Sequence, residues 1–182
     1  WDTIIDIDGQ QVYPGFIAAN STIGLTEIDA VRATNDFREV GYINPHVRSI
    51  IAFNLDSKII YTIRTNGVLL CQATPRGGLI SGTSSVMALD GWNWEDAVLK
   101  TDNGVHLNWP SINSSFGKKP KDAKKRKERY KHQLKEIEQF FQQALAYKQK
   151  SFQLEKNLRF EAMKNVFDKK TKLFIHANRV QE

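Results

Sequence analysis

The stretch that most constrains the fold is Val12-Tyr13-Pro14-Gly15-Phe16-Ile17-Ala18-Ala19-Asn20-Ser21-Thr22-Ile23-Gly24-Leu25. A Pro-Gly turn signal leads into a short apolar run, Phe16 to Ala19, and polar residues follow at Asn20 and Thr22 before Gly24 breaks the run. An apolar run of this kind, bounded by Gly and Pro, reads as a buried strand whose far end opens onto a loop. Side chains at i and i+2 share a face of a strand, so Asn20 and Thr22 are expected to point the same way at its end. In a barrel of parallel strands, chemistry is placed at that end.

Other elements follow from local pattern. Thr3 to Tyr13 reads as a hairpin turning at Asp8-Gly9. Thr26 is an N-cap signal for a helix over Glu27 to Val31. Val47 to Phe53 and Ser57 to Ile63 show helical apolar spacing, the second capped by Asp56, and Asn66-Gly67 ends it. Val68 to Thr74 reads as a second buried strand. Pro75 to Ser85, rich in Gly and Ser, reads as a loop, and lacks the Gly-Lys-Ser/Thr of a phosphate loop. Val86 to Leu89 supplies a short strand. Ala97–Lys100 and Val105–Leu107 read as a hairpin turning at Asp102-Asn103-Gly104, bracketed by Trp92, Trp94 and Trp109. Those tryptophans pack together under a lid or form a stacking platform for a ring-bearing ligand. His106 within the hairpin reads as a surface or packing residue.

The sequence has 182 residues, 41% hydrophobic and 25% charged, which suffices for a core in one or two domains. A complete (β/α)8 barrel needs about 250 residues, so the chain, opening at Trp1 in what reads as mid-domain sequence, is expected to be part of a longer polypeptide. No run approaches the length of a membrane span, and no signal peptide is visible, which leaves cytoplasmic and exported locations both open. The single cysteine, Cys71, excludes an intramolecular disulfide and reads as core packing.

The net charge of +6 is local. Residues 118–135 hold ten Lys/Arg and two Asp/Glu (+8), leaving sixteen basic and eighteen acidic residues (−2) elsewhere. From about 120 to 150, Tyr130, Leu134, Ile137, Phe141 and Leu145 recur at helical steps, which gives one long basic amphipathic helix. Basic helices bind phosphate backbones, but no aromatic interleaving accompanies this one, so a solvated face is the expectation over a nucleic-acid arm. A second helix carries Leu158, Ala162, Met163, Val166 and Phe167. Lys172 to Asn178 then reads as a buried strand with His176 near its end.

Taken together, Pro14 to Gly24 resembles the first barrel strand of the amidohydrolase superfamily, whose usual form is Pro-Gly-Phe-Ile-Asp-Ala-His-x-His-x-Gly. Ala18 stands at the Asp position, and Asn20 and Thr22 stand where two metal-binding histidines are usual. The helix–Asn-Gly–strand passage and the Leu-Phe-Ile-His-Ala strand around His176 are also similar to that family, with the imidazolonepropionase-like branch nearest. The resemblance implies an α/β fold: a partial (β/α)8 TIM-type barrel over residues 14–182, the end of a small β domain over 1–13, and a long inserted helix. It implies a hydrolase of C–N bonds in a small or peptide-like substrate, using metal-activated water. His176 is then the candidate catalytic and metal-ligating residue, with Asn20, Thr22, Gly78 and Ser81 near the substrate.

Amide and hydroxyl oxygens are poor zinc ligands, so one weakly held divalent metal, or none, is expected. The alternative is a pseudoenzyme that binds a ligand at the same mouth. A truncated barrel exposes strand edges, so the remainder of the same polypeptide or another copy is the expected partner.

Overall fold

The structure is a computed structural model that describes residues 3–111, 123–150 and 155–177. Its centre is a five-stranded sheet in the order β1-β2-β3-β4-β5. The strands are β1 (Phe16–Ser21), β2 (Val68–Ala73), β3 (Ile80–Ala88), β4 (Val98–Asn108) and β5 (Lys172–His176). The sheet curls into a half-barrel. β1 pairs parallel with β2 and β4 parallel with β5, whereas β3 runs antiparallel to both of its neighbours. An all-parallel barrel sheet is therefore not what β3 forms. The C-terminal ends of β1, β2, β4 and β5 nonetheless lie at one end of the sheet, together with the start of β3.

Helices α1 (Lys58–Thr65), α3 (Ala123–Gln149) and α4 (Leu158–Phe167) pack on the sheet, and α2 (Trp94–Ala97) is one turn. Two apolar clusters result. In the first, Ile60 of α1 and Ile50 and Phe53 of the preceding turn meet Cys71, Ala73 and Met87. In the second, Ile137, Phe140 and Ala144 of α3 and Met163 of α4 meet Ile80, Val105 and Leu107. β3 contributes to both, through Met87 and Ile80, and so ties the two halves of the sheet together. Alternation along β2 and β4 sends Cys71, Ala73, Val105 and Leu107 to the helices, which leaves Gln72 and His106 on the concave face.

Several elements depart from expectation. The turn at Asp8-Gly9 forms, with Gln10 N–H donating to the Ile7 carbonyl at 2.9 Å, but its flanks do not pair and Ile4 is 90% exposed. β1 is an edge strand rather than a buried one, with Phe16 69% exposed. No helix follows Thr26; instead the Thr34 hydroxyl meets the Ile28 N–H and carbonyl and folds the segment into a loop. Ser57, not Asp56, occupies the N-cap of α1, and its hydroxyl donates to Glu27 Oε2 rather than to the helix.

Ile80–Ser85 is fully buried strand, not loop, and Val98–Asn108 is one strand with a bulge, not a hairpin. The buried stripe of α3 is Ile137, Phe140 and Ala144, while Leu145 is 42% exposed. Trp94 and Trp109 pack on different clusters and Trp92 is 88% exposed, so the three form neither a platform nor a common packing group. Lys118 to Asp122, the start of the basic segment, lie outside the described residues. Among the described residues no helix is long and apolar enough to cross a membrane.

Each cluster includes one large, fully buried side chain from a helix, Ile60 at 1% and Met163 at 0% exposure. Ile60→Ala and Met163→Ala are each expected to cost about 2–5 kcal/mol of unfolding free energy, from lost transfer energy plus a residual cavity. Leu158→Ala, at a side chain 58% exposed, should leave the chemical-denaturation midpoint nearly unchanged.

Candidate functional site

The site begins where β1 ends. Asn20 adopts a left-handed backbone (φ +51), which asparagine tolerates better than most residues. The β1–β2 register slips between Ala18 and Ser21 as a result. Strand alternation requires extended backbone, so the expected common face of Asn20 and Thr22 is interrupted at Asn20 itself. Its N–H donates to Gln72 Oε1 at 3.1 Å, its carbonyl accepts from Arg76 Nη2, and its buried Oδ1 meets no partner among the described residues. The Thr22 carbonyl closes a turn with Leu25 N–H at 2.9 Å, and no side-chain hydrogen bond joins Thr22 to the groups that follow.

His176 ends β5, opposite Asn108 in the ladder. Its Nε2 lies 2.8 Å from His106 Nδ1, and His106 Nε2 lies 2.7 Å from Ser84 Oγ. The His106 ring stacks on Phe174 (4.9 Å, 19°) and lies nearly coplanar, edge to edge, with His176 (5.0 Å, 14°). Gly104 makes room for this: a Cβ there would meet the Phe174 ring at 2.1 Å. Ser84 Oγ also lies 2.8 Å from Asn103 Oδ1 and accepts from Gln72 Nε2 at 3.2 Å.

A continuous run of hydrogen bonds thus crosses the sheet from β5 to β1: His176, His106, Ser84, Gln72, Asn20. His106 is 1% exposed and Ser84 0%, so each depends on the others for its polar contacts.

A bulge in β4 supplies Asn103. Ser84 faces Gly104 and Val86 faces Lys100, so β4 carries two residues more than β3 over that interval. Asp102 takes the left-handed conformation (φ +48), donates its N–H to Ser85 Oγ, and pairs with Arg48 at 2.8 Å. Those contacts hold Asn103 against Ser84.

Gly78 and Ser81 sit beside the same rim. Asn108 Nδ2 donates to the Gly78 carbonyl at 3.0 Å and to Ser81 Oγ at 2.8 Å, and a Cβ at Gly78 would lie 2.7 Å from the Tyr42 carbonyl. Both residues brace Asn108, the ladder partner of His176. The structure therefore joins Asn20 and His176 through the interior and Gly78 and Ser81 to His176 through Asn108. His106, Ser84, Gln72 and Asn103 are additions. Gln72 and His106 had a signal in the sequence, the polar side of two strands whose other side is apolar, whereas Ser84 lay in a stretch of loop-like composition and Asn103 in a turn signal.

Grooves of about 510 Å³ and about 290 Å³ open elsewhere, share His46 in their linings, and are not lined by His176.

Burial, the neighbouring His176 and the charge of Arg76 together lower the His106 pKa from 6.5 to about 3. Burial and Arg76 lower that of His176. Both shifts favour the neutral ring. Burial pushes the Cys71 thiol up to about 12, which makes it inert packing.

A divalent metal does not fit these donors. Asn20 and Thr22 offer neutral oxygens, and with Nε2 engaged by His106 the His176 ring leaves a single nitrogen, Nδ1, with no carboxylate or second imidazole among the described residues to complete a ligand set there. No group of three or more His, Cys, Asp or Glu able to hold a metal occurs among the described residues.

The pH dependence follows. Between pH 6.5 and about 3 the unfolded chain binds a proton at residue 106 that the folded chain refuses. The His106 contribution to stability is fully present above 6.5 and is lost as the pH drops through that window, and His176 adds to the loss in the same direction. Glu161 and Asp168, held below the usual carboxylate range by hydrogen bonds from Lys164 and Lys148, lose their share only in stronger acid. Urea unfolding between pH 6.5 and about 5 should show a declining free energy, with a shallower slope in His106→Gln.

No family model matches the chain, and no curated protein matches it. Among solved structures it is similar to an amidohydrolase from Thermotoga maritima MSB8, with a TM-score of 0.76 and 23% identity. The match covers 100% of this chain and 51% of that one, so the chain spans about half the length of the structure it resembles. The likeness establishes a shared fold, a mixed α/β half-barrel.

Proposed function

We propose that residues 14–182 form the N-terminal part of a TIM-type barrel in an amidohydrolase-type hydrolase, departing from the regular (β/α)8 pattern at the antiparallel β3, and that residues 1–13 end a small β domain. The activity proposed is hydrolysis of a C–N bond in a small or peptide-like substrate held at the strand ends. The observation that carries this reading is an imidazole, His176, at a strand end of a half-barrel similar along its whole length to an amidohydrolase. The strand-one frame from Pro14 to Gly24 supports the imidazolonepropionase-like branch. Gly78 and Ser81 shape the rim that the substrate meets, and His176 is the group that touches it. The free edges of β1 and β5 are where the remainder of the polypeptide, or another copy, completes the barrel.

A second reading has its own support. The donors at Asn20, Thr22 and His176 do not suit a metal, which favours a ligand-binding pseudoenzyme of the same fold. Two measurements separate the readings. Full-length protein assayed against cyclic and acyclic amides should show turnover that His176→Gln lowers by about 10²-fold or more if His176 works on substrate protons. Complete absence of turnover, with ligand binding retained, supports the pseudoenzyme. Metal analysis after repletion should give less than about 0.1 metal per chain, rising in Asn20→His/Thr22→His if those positions retain the geometry of a ligand pair.

A further inference from the structure

The run of hydrogen bonds across the sheet has a direction, and its direction fixes which nitrogen of His176 faces the mouth. The backbone N–H of Asn20 can only donate, so the Gln72 atom it meets at 3.1 Å is the carbonyl oxygen. That turns Gln72 Nε2 toward Ser84 and Asn103, at 3.2 and 3.4 Å. An amide nitrogen facing Asn103 requires an acceptor there, which makes the near atom Oδ1. Ser84 Oγ lies 2.8 Å from the same Oδ1, and two oxygens that close need a proton between them.

A hydroxyl has one proton. Spent on Asn103, with the Gly104 carbonyl a further acceptor at 3.2 Å, it leaves none for His106 Nε2 at 2.7 Å, so that nitrogen carries its own proton and donates to Ser84. A neutral imidazole has one N–H, hence His106 Nδ1 is bare and accepts from His176 Nε2–H at 2.8 Å. The neutral His176 then has no proton on Nδ1. That nitrogen meets no partner among the described residues and is not among the buried polar atoms without one.

We propose that Asn103, Ser84 and His106 are positioning residues that lock His176 in its Nε2–H tautomer, so that the strand end presents a bare Nδ1 to accept from water or a substrate N–H. The reverse tautomer would offer a donor at the same point and select acceptor groups instead. The inference rests on the proposed site only in treating the strand ends as the ligand-facing side, and its test needs no turnover.

Ring-nitrogen NMR of the ¹⁵N-labelled chain reads the tautomers directly. The expected result is a pyridine-type Nδ1 and a pyrrole-type Nε2 on both His106 and His176. The opposite assignment on either ring overturns the proposal. Asn103→Leu removes the nearer acceptor of the Ser84 proton and leaves the Gly104 carbonyl at 3.2 Å; the shorter 2.7 Å contact then draws the proton to His106 Nε2, so both rings should convert to Nδ1–H. Asn103→Asp keeps the acceptor and should keep the native pattern. Native tautomers persisting in Asn103→Leu would show that Asn103 does not set the direction. Should that variant fail to fold, the wild-type and Asn103→Asp spectra still decide.

Discussion

The fold is organised by the buried hydrogen-bond run that crosses all five strands. Burying a polar group without a partner costs about 1–3 kcal/mol, and this run buries groups from β2, β3 and β4 at once. His106 and Gln72 are satisfied only when their neighbours in the run are in place, and Ser84 adds a bond to the Gly104 carbonyl. The concave face is thus specified as a unit, whereas the two apolar clusters on the helical side specify the two halves separately. β3 is where the two requirements meet, since Met87 and Ile80 face the helices while Ser84 faces the run.

This explains why β3 was the least legible element in the sequence. Ile80 to Ser85 is small and polar, the composition of a loop, yet every residue in it is buried. Its neighbours dictate that composition. The segment from Ile43 to Arg48 crosses β3 closely, bridging Ile43 to Ile80 and Arg48 to Thr83, and a Cβ at Gly82 would lie 2.6 Å from the Val47 carbonyl. Small side chains are needed where another backbone approaches. By contrast β2 was plain, because Asn66-Gly67 closes α1 at its own end and an apolar run follows. Local punctuation carried β2; contacts 35 to 37 residues distant in sequence decided β3.

The site divides along the same line. His176 was singled out by the resemblance of its strand to a histidine-bearing family strand, and it does lie at a strand end, while Cys71 was readable from composition. His106 was not, because Val105-His106-Leu107 alternates as any half-solvated strand does. Alternation shows that His106 faces away from the helices, not whether that face is solvent or the inside of a curl. The Asp102-Asn103-Gly104 signal was likewise real as backbone chemistry: Asp102 does adopt a left-handed conformation. The chain used it for a bulge rather than a turn, and the bulge places the acceptor on Ser84.

Asn20 gains a different significance in this light. Read as a lost histidine, it marks an absent metal. In the structure its left-handed backbone aims an N–H at Gln72 and a carbonyl at Arg76, so the main chain does the work and the side-chain oxygen is left unpartnered. A residue that must sit at φ +51 is restricted far more by backbone than by ligand chemistry. A histidine placed there has to accept the same conformation before its ring reaches the mouth. Recovering a ligand pair at the β1 end therefore depends on keeping the Asn20 N–H on Gln72, since losing that bond removes the starting point from which the polarity of the interior is set.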